Sequence, residues 1–389
     1  MESIRQEFTV SYSYPVIFTR DLFTPGNPIL PEFLAARGEG RARIALVVDS
    51  EVARLTVGLR ERIDLFADLH RDLLEFVAPP HIIPGGEGCK NRPEELHRLH
   101  ALVEQEGLCR HSYLIALGGG ALLDLAGYAA ATAHRGIRLI RMPTTVLAQN
   151  DAGVGVKNGV NAFGRKNFLG TFAPPCAVIN DFDFLRTLEQ RDQRAGIAEA
   201  IKVALIKDRP LFDRLYAQRE ELSLFSPTAV ERLIVDCARI HLEHIRSCGD
   251  PFEFGTSRPL DFGHWTAHTL EELTHGELRH GEAVAIGIAL DCLYSHRRSL
   301  ISDTELHRIL TLLEEVGFTL YHPALRRFNI TKALREFREH LGGTLTIPLL
   351  RGIGNTVEAH EMDPELYQEC IFALAARESR RGERHEQPE

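Results

Sequence analysis

The chain lacks the marks of several protein classes. Its seven cysteines (Cys89, Cys109, Cys176, Cys237, Cys248, Cys292 and Cys370) are scattered among 389 residues, and no two form a CxxC pair. An odd, widely spaced set argues against a disulfide framework and points to reduced thiols and a cytoplasmic location. No apolar run reaches membrane length, and the opening MESIRQEFTV is charged and strand-like rather than a signal peptide. Positive charge is not in excess either. A net charge of -9 spread along the chain gives no reason to expect nucleic acid as a partner. Internal repeats and low-complexity stretches are missing from the body of the chain.

What is present fits a globular protein of two domains: 389 residues, 44% apolar and 25% charged. Before residue 185 short apolar runs (ARIALVVD, YLIALGGG, IRLIRMPTT) alternate with helical stretches (LHRLHALVEQEG, ALLDLAGYAAATA). That alternation predicts βαβ units around a mainly parallel sheet. After it, helical periodicity dominates, as in AGIAEAIKVALI and GEAVAIGIALDCLYSHRRSL, with LTIPLL as the late strand candidate. The expectation is an α/β domain over residues 1–184, a mostly helical domain over 185–377 and a disordered tail over 378–389.

Three places carry chemistry. YLIALGGGALLDLAGYAAA reads as a buried strand, a turn of Gly118, Gly119 and Gly120, then a helix. Such a turn lets backbone N–H groups approach a pyrophosphate. It is not GxGxxG, and a plain strand-to-helix turn has the same look. Asp49 ends the first strong strand, placed either to accept from a ribose hydroxyl or to cap a helix. PGGEGCKN, with Glu87 and Lys90, is a second polar glycine loop. The stretch from Arg135 to Thr187 is polar and glycine-rich, holding Asp151, Lys157, Asn161, Lys166 and Asn167. It is either a solvated loop or a binding loop for a phosphorylated, polyhydroxylated ligand. Glu199, His264 and His280 could form a three-ligand set that leaves open positions on a divalent ion. His264 and His268, at i and i+4, share a helix face as a ligand pair or as a polar stripe.

The order of these motifs resembles the sugar phosphate cyclases of the 3-dehydroquinate synthase-like superfamily. PGGEGCK, LGGGALLDLAGY, RG…PTT…AQND, GVNAFGRKN, GIAEAIK, DFGHWTAH, HGEAVAIG and RGIG follow one another over roughly residues 8–375. The resemblance implies a Rossmann-like NAD-binding domain, a helical metal-binding domain and a homodimer. It implies Glu199, His264 and His280 as ligands of Zn2+ or Co2+. NAD+ contacts map to Asp49, Glu87, Lys90, Gly119, Gly120, Asp124, Thr144, Thr145, Lys166 and Thr187. Substrate and catalytic positions map to Asp151, Lys157, Lys166, Asn167, Lys202, Asp261 and His268. Arg135 matches an arginine that reaches phosphate across a dimer interface. The implied chemistry is transient oxidation at C5 of a seven-carbon ketose 7-phosphate, elimination of phosphate, re-reduction and intramolecular aldol closure, with NAD recycled.

Departures from the family pattern bear on the substrate. The lysine that holds a carboxylate in dehydroquinate synthases falls at His241, and the partner arginine falls at Ser257, with Arg258 displaced by one. The asparagine before the metal motif is Asp261, a supporting lysine falls near Glu339 or His340, and GGK-T-G becomes GVKNG. A site without those cations disfavours a carboxylate. The expected substrate is therefore sedoheptulose 7-phosphate, in the 2-epi-valiolone synthase branch. The alternatives are 3-dehydroquinate synthase itself, a polyol dehydrogenase and a non-catalytic relative.

Overall fold

The structure is a computed structural model that describes residues 3–38, 40–252 and 259–385. Ser257 and Arg258 lie outside the described residues. The chain divides into two compact units, Met1–Thr144 with Gly155–Thr187 and Thr145–Val154 with Leu188–Glu389. The excursion 145–154, counted by sequence with the first domain, thus groups with the second. Asn150 donates from its side-chain amide to Gly196 O at 2.8 Å. A Cβ on Gly196 would lie 2.4 Å from Leu147 N.

In the first unit the strands are β1 (Val16–Thr19), β2 (Ala42–Asp49), β3 (Leu74–Phe76), β4 (His81–Ile83), β5 (Tyr113–Gly118), β6 (Arg138–Pro143), β7 (Lys157–Ala162), β8 (Arg165–Phe172) and β9 (Ala177–Asp181). Seven of them form one parallel sheet in the order β1-β9-β6-β5-β2-β3, and β4 pairs with the second half of β2. β5 is buried along its whole length and β2 from residue 44 onward. Such unbroken apolar runs suit strands covered on both faces. From β2 the chain moves outward to β3 and β4, then returns to the other side of β2 as β5. This reversal is a topological switch point, where the strand ends of α/β sheets open a crevice for ligands. Asp49 and Gly118 end the two strands that flank it.

The polar stretch 135–187 is not the loop its composition allows. It forms β6, a π-helical turn Ala148–Ala152, the antiparallel ribbon β7–β8 and β9. Ribbon strand β8 is exposed along almost its whole length, so it shows none of the apolar alternation that betrays a half-buried strand. Phe163 and Gly164 turn the ribbon with φ of 53° and 74°, the left-handed pair that suits a two-residue hairpin. The base of the ribbon is tied down by Arg141, which is fully buried on β6. It donates to Gly155 O at 2.8 Å, Lys157 O at 2.7 Å and Asn158 Oδ1 at 2.6 Å.

The second unit is helical, with a small antiparallel ribbon of β10 (Ile347–Leu350) and β11 (Thr356–Ala359). The sequence suggested the first of these strands and missed the second. Helix Gln190–Lys207 is buried on all sides over residues 195–206, the mark of a central core helix. The last helix, Pro364–His385, corrects the expected disordered tail over residues 378–385, and residues 386–389 lie outside the described residues. Arg377 forks onto Glu314 at 2.6 and 2.7 Å, and Arg381 donates to Glu314 O and Phe318 O, each at 3.2 Å. One helix face thereby stays docked beyond the last apolar residues. Among the described residues no helix is long and apolar enough to cross a membrane.

Arg141→Met should leave buried carbonyls unpaired and destabilise the first unit by about 3 kcal/mol. Limited proteolysis should then cut within residues 155–172 at protease levels that spare the wild type.

Candidate active site

Glu199 has no exposed surface, and its neighbours explain how a carboxylate survives there. Lys202, one turn on, places Nζ 2.6 Å from Oε2. His264 and His280 bring Nε2 to 3.4 and 3.3 Å from Oε1. Burial would raise the Glu199 carboxyl, but the charges of Lys202 and His264 override it and hold the group well below its ordinary value. Two backbone contacts make this convergence possible. Gly281 follows His280 directly, and a Cβ there would lie 2.2 Å from Ala195 O on the Glu199 helix. Gly263 precedes His264 with φ of 77°, and a Cβ on Gly287 would lie 2.0 Å from Gly263 O. Only glycine allows backbones to approach so closely.

The three residues fit a metal ion. One ligand atom from each lies within 4.8 Å of the others. Neither Glu199 oxygen makes a hydrogen bond of ordinary geometry with any described residue, despite complete burial. Both histidines turn Nε2 toward the carboxylate and have Nδ1 engaged elsewhere. His264 Nδ1 lies 3.1 Å from Phe262 O, and His280 Nδ1 lies 3.3 Å from Glu271 Oε1. Fixing the second ring nitrogen is how metal-binding histidines are oriented. Sequence reasoning missed Glu271. It stands seven residues after His264, hence on the same helix face as His264 and His268, and that spacing was the available signal.

A chain of titratable side chains continues from this cluster. Lys202 Nζ is 3.8 Å from Asp151 Oδ2, and Asp151 Oδ1 is 2.8 Å from His241 Nδ1. Asp151 sits in the π-helical turn and His241 on helix Pro227–Ser247. Burial would raise Asp151, but His241 and Lys202 hold it below the ordinary carboxylate range. Asp261 ends a short turn, and its charge helps keep Lys202 protonated behind Glu199 and Asp151. His268 is exposed, one helical turn beyond His264, with the two rings 5.6 Å apart.

The first unit gathers the nucleotide candidates at the carboxyl ends of β2, β4 and β5. Asp49 accepts from Glu51 N–H at 2.8 Å, so it is a helix cap, and it is also pressed against a glycine turn. A Cβ on Gly85 would lie 1.9 Å from Asp49 Oδ2. Gly119 is the N-cap of helix Gly120–Thr132, and Thr144 N–H donates to Gly118 O at 3.0 Å. Lys90 is buried and bonds Asp124 at 2.7 Å as well as the Asn167 amide oxygen. Burial works against its charge, but Asp124 and Glu87 hold its pKa above the ordinary value. Asn161, at a bulge in the ribbon, donates to Glu87 at 2.9 Å and accepts from Asn167 N–H at 2.8 Å.

Other expected residues lie at the surface or bond the backbone nearby. Lys157, Lys166 and Arg135 are exposed, Arg135 with a left-handed φ of 62°. Thr187 Oγ1 donates to Phe184 O at 2.8 Å, and Thr145 Oγ1 accepts from Ala148 N–H at 3.1 Å.

Comparison with known proteins agrees with this arrangement. The models of the 3-dehydroquinate synthase N-terminal and C-terminal regions match residues 80–195 and 196–339. A 2-epi-5-epi-valiolone synthase of Streptomyces glaucescens is 35% identical over 367 residues, 93% of this chain and 91% of its own length. The chain belongs to the 3-dehydroquinate synthase family of sugar phosphate cyclases. Within that family, a 3-dehydroquinate synthase of Acidithiobacillus ferrooxidans is nearly as similar, 34% identical over 345 residues, covering 88% of this chain and 91% of its own. The solved 2-epi-5-epi-valiolone synthase of Streptomyces hygroscopicus subsp. jinggangensis, which carries NAD+ and Zn2+, superposes with a TM-score of 0.85. It is 31% identical, and the match covers 96% of this chain and 100% of that one.

Glu199→Gln keeps the shape of the side chain and removes the charge that the histidines face. Metal analysis after dialysis should find about one Zn2+ per wild-type chain. The variant should bind zinc about 100-fold more weakly.

Proposed function

We propose that the chain is an NAD- and metal-dependent cyclase of sedoheptulose 7-phosphate, forming a 2-epi-valiolone-type cyclitol with loss of phosphate. The observation that carries the substrate choice is the 2.8 Å pair between His241 and Asp151. Position 241 is where the family resemblance puts a carboxylate-binding lysine. Here it holds an imidazole whose Nδ1 already lies against an acid, without the geometry of a hydrogen bond, which leaves Nε2 for a ligand. A substrate carboxylate at that wall would face Asp151, whose charge already takes up the cations of Lys202 and His241. A hydroxymethyl C1 meets no such penalty.

Glu199, His264 and His280 would hold the divalent ion, and the groups around Asp49, Gly119–Gly120 and Lys90–Asp124 would hold the dinucleotide. When bound, the ion supplies Lewis-acid polarisation of sugar hydroxyls and NAD+ supplies a reversible hydride acceptor at C5. Lys202, charged between two carboxylates, donates to a sugar hydroxyl, and Asp151 accepts from one. Lys157 and Asn167 bind the phosphate, joined by Arg135 in a homodimer. Asn167 gives its amide oxygen to Lys90, which leaves its NH2 as the donor. With C5 oxidised the C6 proton is acidic, and the departing phosphate can accept it. The same donors then orient the opened sugar for aldol closure.

The near-equal likeness to 3-dehydroquinate synthases makes that activity the competing reading. The purified protein, given NAD+ and Zn2+ or Co2+, should release phosphate from sedoheptulose 7-phosphate about ten-fold faster or more than from the carboxylated heptulosonate phosphate. NADH should not accumulate, whereas a polyol dehydrogenase would build it up. Faster turnover of the carboxylated sugar would overturn the assignment. His241→Lys should shift the preference toward the carboxylate.

A further inference from the structure

His264 is the first residue of its helix, so its placement depends on the turn that precedes it. Gly263 in that turn donates its backbone N–H to Asp291 Oδ2 at 3.0 Å. Trp265, on the other side of His264, donates its indole N–H to Asp291 Oδ1 at 3.2 Å. The two oxygens of one carboxylate therefore bracket the metal histidine. Asp291 is fully buried on helix His280–Arg297, the helix that begins with the other metal histidine. It stands three turns after His280, on the same helix face. Gly287 lies on that face too, pressed against Gly263 O.

The third partner of Asp291 is Tyr367 from the last helix, which donates its hydroxyl to Oδ1 at 3.1 Å and lies 2.7 Å from Thr266 Oγ1. All three partners are neutral donors. A buried acid satisfied this way is expensive beside an apolar side chain of similar size. Packing alone gives no reason for it, and the bracket around His264 does.

We propose that Asp291 is a positioning residue of the metal centre: it ties Gly263 and Trp265 to the His280 helix and so fixes His264 relative to His280. The inference rests on the metal reading of the Glu199 cluster. It places no group of Asp291 on the ion or the substrate.

The test uses the full chain freed of metal, titrated with Co2+ and followed by its visible d–d absorption. Asp291→Asn should weaken Co2+ binding about ten-fold or more and alter the shape of the absorption band. Tyr367→Phe keeps both bonds around His264. It should lower the melting temperature of the metal-free protein while leaving Co2+ affinity within about three-fold of wild type. An Asp291→Asn protein with wild-type affinity and spectrum would overturn the inference. So would a Tyr367→Phe protein as impaired in binding as Asp291→Asn, since general stability would then account for both. Should Asp291→Asn fail to fold, Trp265→Phe removes one arm of the bracket and should weaken binding several-fold, and unchanged binding there overturns the inference. A wild-type chain that takes up no cobalt fails the metal reading and the inference together. Normal wild-type uptake with unaffected variants fails the inference alone.

Discussion

A carboxylate removed from water stays charged only where other charges or donors replace the solvent, and the helical unit is arranged around that requirement at Glu199. Lys202 answers it from the same helix, and His264 and His280 answer it from two others. The three segments can meet because glycines stand at the crossings. Gly281 lets the His280 helix touch Ala195, and Gly263 and Gly287 let the His264 turn lie on the same helix. An ion-ready cluster is thus a consequence of backbone approach as much as of ligand identity.

The same economy of glycine shapes the α/β unit. Gly85 and Gly118 keep the space beside Asp49 clear at the switch point of the sheet. Lys90, Asp124, Glu87, Asn161 and Asn167 form one bonded network that joins the β4 loop, the helix after β5 and the β7–β8 ribbon. Arg141 holds the base of that ribbon from inside the sheet. A ribbon with little apolar surface of its own is therefore ordered by polar ties.

These two mechanisms explain what could be read from the residues alone. The parallel sheet was legible because β2 and β5 are continuous apolar runs, and Glu199, His264 and His280 were legible because each lies in an ordered motif. Glu271 and Asp291 were recoverable from helical spacing, standing on the faces that bear His264 and His280. The His241–Asp151 pair was not, because ninety positions separate the partners and neither residue type announces the other. The ribbon was hidden for a different reason: its exposed strand carries no period of two. The end of the final helix was hidden because Arg377 and Arg381 extend it through ionic and carbonyl contacts rather than apolar ones.

The central claim is that Glu199, His264 and His280 together hold a catalytic divalent ion. Anomalous diffraction at the zinc edge, from crystals of the zinc-loaded protein, tests it most directly. The account predicts one strong peak about 2.0–2.2 Å from a Glu199 oxygen and from Nε2 of both histidines, with at least one coordination position left to solvent or substrate. A peak at other residues, with none between Glu199 and the two histidines, would contradict it.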